Sequence, residues 1–228
     1  MEQTKYIAHR GFAQRATENT IEAFEIAAKS TAYGIETDVR ITLDKKVVCF
    51  HDESTLRLCG EEHIVEDTTL EKLETLKING KHKIPTLEEY INICKSGDKY
   101  AIIELKRPFD KQDIAAMIEQ IHELDYLHHA VFISFDMQIC QNVKKISPDQ
   151  CVQLVTDYFN KELVEQLGKQ KIDIDMQYTC LSQGRIKFCH SHGVKVNCWT
   201  LNDAKIAKHL EQCGIDFITS DNLENSGK

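Results

Sequence analysis

The sequence predicts an α/β fold, a (β/α)₈ TIM-type barrel with a β-hairpin after strand 2 and a small excursion over its C-terminal mouth. Three observations carry this prediction. Short β-branched apolar runs alternate with helical patterns along the whole chain, and one pair of runs has hairpin spacing. The length of 228 residues suits such a barrel at the compact end of its range.

Nine short apolar runs are the candidate strands. Apolar residues spaced three and four apart fill most of the segments between them, as expected of amphipathic helices. This alternation is typical of a parallel sheet with helices on its outside. The candidate strands are residues 6–9, 34–38, 47–51, 100–105, 130–135, 151–155, 172–176, 194–199 and 215–219.

The third candidate strand follows the extended second one after only residues 43–46, which is too short for a crossover between parallel strands. We therefore expect a hairpin here, which leaves eight parallel strands for the barrel. With a two-residue turn, His51 would lie directly opposite Asp38. A different turn length would shift this register by one residue.

Two helix starts and one irregular segment complete the prediction. Asn19 is expected to cap a helix, with Glu22 as its capping-box partner, and Thr86 is expected to cap a second helix. Residues 52–85 fit no regular strand–helix unit, and we interpret them as the excursion. The whole chain, 1–228, is predicted to form a single domain.

Composition narrows the possible functions. The formal net charge of −8 disfavours a nucleic-acid partner. No apolar run approaches the ~20 residues that span a bilayer, and no signal peptide precedes the first strand, so we expect a cytoplasmic protein without stable membrane association. The nine cysteines include no Cys-x-x-Cys and are expected to be reduced core residues. A monomer or a homodimer is expected.

Polar residues at the ends of four candidate strands are the candidate site. His9 ends the first strand, Glu36 and Asp38 end the second, His51 ends the third and Glu104 ends the fourth. Barrel active sites lie at the C-terminal ends of the strands. Three carboxylates at one rim would repel each other, and a divalent cation would remove that repulsion. Oxygen ligands favour Mg²⁺ or Ca²⁺, with Mn²⁺ as a third option, over zinc.

The remaining polar residues suit chemistry on a phosphate ester. His9 and His51 could serve as general acid and base, although a single histidine is more commonly a core or capping residue. Arg10 and Lys106 could hold phosphate oxygens. Asp175, in the seventh candidate strand, is a further candidate ligand or substrate contact.

Eight short motifs follow one another in a specific order and spacing. Together they resemble the glycerophosphodiester phosphodiesterase family over nearly the whole chain. The family usually has Pro where Thr17 stands. The motifs are His9-Arg10-Gly11, Glu18-Asn19-Thr20, Gly34-Ile35-Glu36-Thr37-Asp38-Val39, His51-Asp52, Ile84-Pro85-Thr86-Leu87, Ile103-Glu104-Leu105-Lys106, Trp199-Thr200-Leu201-Asn202 and Gly214-Ile215-Asp216-Phe217-Ile218-Thr219-Ser220-Asp221.

The resemblance implies a metal-dependent hydrolase whose small-molecule substrate is a glycerophosphodiester and whose products are sn-glycerol 3-phosphate and an alcohol. In the family, the residues that match Glu18 and Asn19 brace the site floor. Trp199 could equally be a large core aromatic. Carried over by motif, the family's site falls on the acid–base pair His9 and His51, the metal ligands Glu36, Asp38 and Glu104, and the substrate-binding residues Arg10, Lys106 and Trp199.

Two other functions remain open at this point. The chain could be a related barrel enzyme of the phospholipase D type acting on lysophospholipid or sphingolipid, or a non-catalytic barrel that binds phosphodiesters. The sequence also leaves open which histidine is the base. It does not decide whether a cyclic phosphate forms before water attacks, or which head group and metal are preferred.

Overall fold

The computed structural model describes residues 3–106 and 108–224, and their strands form a nearly closed barrel. The strands are β1 (Lys5–Ala8), β2 (Gly34–Ile41), β3 (Val47–Cys49), β4 (Tyr100–Leu105), β5 (Ala130–Ser134), β6 (Cys151–Thr156), β7 (Asp173–Gln177), β8 (Val196–Trp199) and β9 (Phe217–Ser220). Neighbouring strands run in the order β8-β7-β6-β5-β4-β2-β1-β9, all parallel, which confirms the predicted fold class.

The barrel closes between β8 and β9 through a few hydrogen bonds. Leu201 N donates to Thr219 O at 3.0 Å, and Asp216 N donates to Val196 O at 3.1 Å. Inside the barrel, the side chains of Asn197 and Thr219 bond each other across the same seam. The eight parallel strands therefore bring their C-terminal ends to one mouth.

Helices alternate with the parallel strands on the outside of the barrel, as the apolar spacing predicts. Their buried faces join the buried outward faces of the strands in one apolar core. The helices of the described residues are α1 (Ile21–Ala28), α2 (Leu56–Cys59), α3 (Leu70–Glu74), α4 (Leu87–Ser96), α5 (Lys111–Glu123), α6 (Met137–Ile146), α7 (Lys161–Gln170), α8 (Gln183–Ser191) and α9 (Ala204–Gln212).

The two predicted helix starts have different outcomes. Thr86 caps α4 in a full capping box with Glu89, as expected. The prediction for Asn19 is wrong, because Thr20 accepts the hydrogen bond of Ala23 N and caps α1. Asn19 instead has a left-handed backbone with φ 52, and its side chain is used in the barrel. Asparagine tolerates this conformation better than most residues.

The hairpin between β2 and β3 is confirmed, but its predicted register is wrong by one residue. The turn has three residues between the bonded pair Thr42 and Lys46, with Lys45 in the left-handed region at φ 62. This is the usual geometry of a three-residue hairpin loop. Phe50 N consequently donates to Asp38 O, and His51 follows the last ladder bond instead of facing Asp38.

The excursion at residues 52–85 packs on the exposed side of the hairpin. Its side chains build a small apolar cluster with Val48 and Phe50 of the hairpin. Arg57 on α2 reaches back toward the barrel mouth and pairs with Glu18 and Asp52. The excursion thus forms one edge of the mouth.

The cysteines agree with the expectation of reduced core residues. All nine are free and six are buried, although Cys151 is exposed.

Within residues 3–106 and 108–224, none of the helices combines the length and apolar character needed to cross a membrane.

The capping box of α4 makes a testable contribution to stability. Replacing Thr86 with Ala removes the acceptor for Glu89 N, which should cost about 1 kcal/mol. For a protein of this size, thermal denaturation should show a melting temperature lower by about 2–4 °C. Thr86→Ser keeps the acceptor and should stay close to the parent. Equal losses in both variants would mean that the hydroxyl does not stabilise the helix.

Candidate active site

Three buried carboxylates meet at the C-terminal mouth. Glu36 and Asp38 stand on alternate positions of β2, and Asp38 is in register with Glu104 on β4. Alternate residues of a strand share a face, so all three project into the barrel. Their exposed fractions are only 2%, 0% and 8%. One oxygen of each lies within 4.8 Å of the others, a spacing that suits a metal ion.

Two cations and one backbone amide stabilise these acids. Arg10 Nε lies 3.1 Å from Asp38 Oδ2, and Lys106 Nζ lies 2.9 Å from Asp38 Oδ1 and 2.5 Å from Glu104 Oε1. The backbone of Arg10 is left-handed, at φ 48, and its N–H donates to Glu36 Oε2 at 2.9 Å. This strained conformation of Arg10 directs its backbone amide at a buried carboxylate, and the hydrogen bond offsets the strain.

The acids differ in their pKa values because they share these cations unequally. Burial, followed by the charge of Asp38, raises the pKa of Glu36 to about 8. Burial also acts to raise the pKa of Asp38, but Lys106 and Arg10 outweigh it and hold that pKa well below its usual range. Burial and the charge of Asp38 raise the pKa of Glu104. The positive charges of Arg10 and Lys106 therefore do not balance the negative charges that the three carboxylates would carry.

The oxygen ligands fit a divalent cation. Oε1 of Glu36 is buried and has no hydrogen-bond partner among the described residues. The donor set consists only of carboxylates, which suits Mg²⁺ or Ca²⁺. A cation here would supply the charge that Arg10 and Lys106 do not. The three predicted ligands thus come together in a geometry that can hold a metal.

His9 lies at the same mouth, and its ring is oriented by Asp221, which directly follows β9. Its Nδ1 lies 2.7 Å from Oδ1 of Asp221, whose other oxygen accepts a hydrogen bond from Asn202. The second ring nitrogen, Nε2, lies 4.0 Å from Glu36 Oε2. Burial acts to lower the pKa of His9, but the Asp221 hydrogen bond and the charge of Glu36 raise it overall.

His51 has a similar partner and the opposite electrostatic bias. Its Nδ1 lies 2.7 Å from Oδ1 of Asp52, and Arg57 Nε donates to the other oxygen of Asp52 at 2.5 Å. Burial lowers the pKa of His51, and the positive charges of Arg10 and Lys106 lower it further against the attraction of Asp38. The two histidines therefore have different affinities for a proton.

Residues at the start of α1 brace the acids and the rim. Asn19 Nδ2 donates to Asp38 Oδ2 at 2.9 Å, and its Oδ1 accepts from Thr37. Glu18 accepts hydrogen bonds from both Arg10 and Arg57. This network links the excursion to the barrel mouth and limits the positions that the Arg10 guanidinium can take.

The rest of the cavity is largely apolar. Trp199 Nε1 donates to the backbone oxygen of Asp175 at 3.2 Å, which places the indole in the wall. The ring of Phe135, 53% exposed, meets the indole edge-on with centroids 5.5 Å apart. Ile133 and Val155 lie in the same wall of the cavity, which has a volume of about 180 Å³.

The structure brings all eight predicted site residues to one mouth. Seven of them line the cavity directly, and Asp38 lies behind them in contact with Arg10 and Lys106. Sequence reasoning did not assign roles to the carboxylates of Asp52 and Asp221. Both residues belong to the family motifs, and the position of Asp52 directly after His51 could have suggested its role. For Phe135, the sequence showed only an aromatic residue at the end of a candidate strand.

The Asp221 hydrogen bond predicts a change in the titration of His9. In Asp221→Asn the negative partner that stabilises the protonated imidazole is gone, so the pKa of His9 should fall. An NMR titration of the histidine ring protons in metal-free protein would measure this. Asp216→Asn is the matched control, because Asp216 pairs with His190 outside the cavity. An unchanged His9 titration in Asp221→Asn would contradict the assigned interaction.

Comparison with known proteins agrees with this geometry. The model of the glycerophosphoryl diester phosphodiesterase family matches residues 9–225. A glycerophosphodiester phosphodiesterase of Caldanaerobacter subterraneus subsp. tengcongensis is 30% identical over 237 residues, covering 97% of this chain and 95% of that protein.

Solved structures share the barrel. A phosphodiesterase of Oleispira antarctica, determined with the product sn-glycerol-3-phosphate, superposes with a TM-score of 0.88 at 24% identity, covering 96% of this chain and 93% of that one. A glycerophosphodiester phosphodiesterase of Thermotoga maritima has a TM-score of 0.80 at 27% identity, with coverages of 97% and 96%. The chain therefore belongs to the glycerophosphoryl diester phosphodiesterase family, a family of phosphoric diester hydrolases.

Proposed function

We propose that the chain hydrolyses glycerophosphodiesters to sn-glycerol 3-phosphate and an alcohol. One observation carries this proposal. Two histidines, each paired with a carboxylate at Nδ1, line one cavity together with buried acids and two cationic side chains. This arrangement can neutralise a phosphate and move protons at the same time. The name of the Caldanaerobacter relative supports the same substrate class.

Glu36, Asp38 and Glu104 would hold one divalent cation. Mg²⁺ and Ca²⁺ are the preferred candidates, and Mn²⁺ is a further option. When bound, the cation supplies positive charge that polarises a phosphate oxygen and offsets charge that develops in the reaction. Arg10 and Lys106 are now paired with the acids, and both line the cavity. With the acids sharing their charge with a cation, these two side chains bind the phosphate oxygens and orient the scissile bond.

The two histidines divide the proton transfers. His51, whose pKa is lowered, accepts the proton of the attacking hydroxyl as its oxygen bonds to phosphorus. His9, whose pKa is raised, gives a proton to the departing alkoxide as the ester bond breaks. Asp52 and Asp221 accept from Nδ1 of their histidines, which leaves both Nε2 atoms for the reaction.

Two nucleophiles are compatible with this scheme. A neighbouring hydroxyl of the glycerol can attack to give a cyclic phosphate, which water then opens, or water can attack directly. Phosphorus NMR during turnover separates the routes, because only the first produces a transient cyclic phosphate. Both routes use the same histidines.

Metal removal tests the proposed activity. The protein should release sn-glycerol 3-phosphate from glycerophosphocholine and glycerophosphoethanolamine, lose this activity in EDTA and regain it with Mg²⁺, Ca²⁺ or Mn²⁺. A coupled assay for sn-glycerol 3-phosphate measures it. Full activity in EDTA would contradict the metal site. Calorimetric binding of glycerophosphocholine without turnover at any metal would instead indicate a non-catalytic binding barrel.

The pH profile tests the roles of the histidines. The value of kcat/KM should fall at low pH, where His51 is protonated, and at high pH, where His9 has lost its proton. His9→Ala and His51→Ala should each lower kcat by roughly 10²–10⁴-fold. The control His190→Ala changes a histidine outside the cavity and should keep full activity. An active His9→Ala would refute the assignment.

The related phospholipase D-type function makes a different prediction from the same residues. Activity on lysophospholipid or sphingolipid micelles, with none on soluble glycerophosphocholine, would support it. We favour the soluble diester because the Caldanaerobacter relative is a glycerophosphodiester phosphodiesterase.

A further inference from the structure

Asp175 is a buried acid that the proposed reaction does not use. It stands in the middle of β7, is only 2% exposed and lines the cavity. Its Oδ1 atom has no hydrogen-bond partner within the described part of the chain. Buried carboxyl groups are costly unless they are paired or bind a ligand. An unpaired oxygen at the cavity wall therefore indicates a partner that arrives from outside.

The neighbouring polar side chains leave Asp175 without a partner because they bond one another. The inward residue next to it on β8 is Asn197, whose amide donates to Gln153 and Thr219. The nearest aromatic donor, Trp199 Nε1, bonds the backbone oxygen of Asp175 and not its carboxyl group. The inward residue on the other side, Val155, has no polar side-chain atom.

The position of Asp175 in the barrel suggests which part of a substrate it meets. In the ring of eight parallel strands, β7 lies opposite β2, which carries Glu36 and Asp38. The carboxyl group of Asp175 is not one of the three that form the candidate metal site. A phosphate bound beside Arg10 and Lys106, which follow β1 and β4, would therefore leave Asp175 facing the part of the molecule that extends across the barrel.

The charge around Asp175 excludes an anion and favours a neutral polar group. The nearby acids Glu104 and Glu36 add to burial in raising the pKa of Asp175, so negative charge is already disfavoured here. A hydroxyl group can bond either form of a carboxyl group, since the ionised form accepts and the protonated form also donates. The contact thus does not depend on the protonation state.

Depth in the cavity distinguishes the two ends of a glycerophosphodiester. Asp175 is almost fully buried, whereas Phe135 at the outer wall is 53% exposed. The variable alcohol would leave along the open, aromatic side. The glycerol end would stay deep, with its carbons against Val155 and Ile133 and its hydroxyls toward Asp175.

Building on the proposed function, we propose that Asp175 is a specificity residue that binds a hydroxyl group of the glycerol moiety. It would let the enzyme distinguish glycerol phosphodiesters from diesters that lack this polyol. Removing its partner hydroxyl leaves a buried polar group unpaired, which is the usual origin of discrimination against a deoxy analogue.

Asp175→Leu tests this role, because leucine is similar in size and has no polar side-chain atom, and Asp173→Asn is the control. Asp173 lies on the same face of β7, accepts from Lys195 N and does not line the cavity. In Asp175→Leu, KM for glycerophosphocholine should rise on the order of tenfold or more with a smaller change in kcat. Hydrolysis of bis(4-nitrophenyl) phosphate, which has no glycerol, should change less than about twofold. Asp173→Asn should leave both substrates unaffected.

Binding of the product and of a deoxy analogue gives a second readout. Calorimetry should show that the parent protein prefers sn-glycerol 3-phosphate over propyl phosphate, which lacks both glycerol hydroxyls, and that Asp175→Leu loses this preference. The melting temperature of Asp175→Leu should be equal to or above that of the parent, since an unpaired buried acid is removed. An equal loss on both phosphodiesters, or a shifted metal requirement, would overturn the proposal.

The design separates the inference from the proposed function. If the parent protein does not cleave glycerophosphocholine, the proposed function fails. If the parent cleaves it and Asp175→Leu does so equally well, only the role of Asp175 fails. If the loss depends on choline or ethanolamine as the leaving alcohol and not on the glycerol hydroxyls, Asp175 binds the head group and the proposal is wrong.

Discussion

The mutual repulsion of three buried carboxylates is the constraint on which the site depends. One oxygen each of Glu36, Asp38 and Glu104 lies within 4.8 Å of the others, and all three side chains are buried. Such a cluster persists only if positive charge and hydrogen-bond donors surround it. The left-handed backbone of Arg10 and the position of Lys106 are both explained by this need. The cations offset only part of the charge, which is why a divalent ion fits.

The charged groups around these carboxylates lie on one side of the cavity, so its two halves differ. On the side of β1, β2 and β4, burial and nearby charged groups together shift the pKa values of both histidines, and a carboxylate on each Nδ1 orients the ring. On the side of β5 to β8, apolar side chains and an aromatic pair form the wall. Asp175 is a buried acid in that half. In the proposed function, the phosphate and the polyol of the substrate would thus meet chemically distinct surfaces, which would favour one orientation of the substrate.

Much of the site could be predicted from the sequence because its residues stand at strand ends. Once the alternation of strands and helices indicates a parallel barrel, the carboxyl ends of all strands must share one rim. His9 and the acids are then near each other without any knowledge of side-chain packing. Thr86 was predictable for a similar reason, since a capping box involves only residues three apart. The hydrogen bond between Asp221 and His9 was not, because the order of strands places both residues at the rim but does not fix which side chains touch across it.

The sequence by itself determined the fold class, the set of strand-end residues and the local cap at Thr86, because each follows from periodicity or from neighbours in the chain. Only the tertiary structure decided the hairpin register, where one additional turn residue with Lys45 in a left-handed conformation moved His51 out of line with Asp38. It also decided that Asn19 bonds Asp38 instead of capping α1. For Asn19, a contact with a side chain 19 positions away prevails over a local capping preference. For the hairpin, the sequence spacing is compatible with more than one turn length, and only the folded strands show which turn forms.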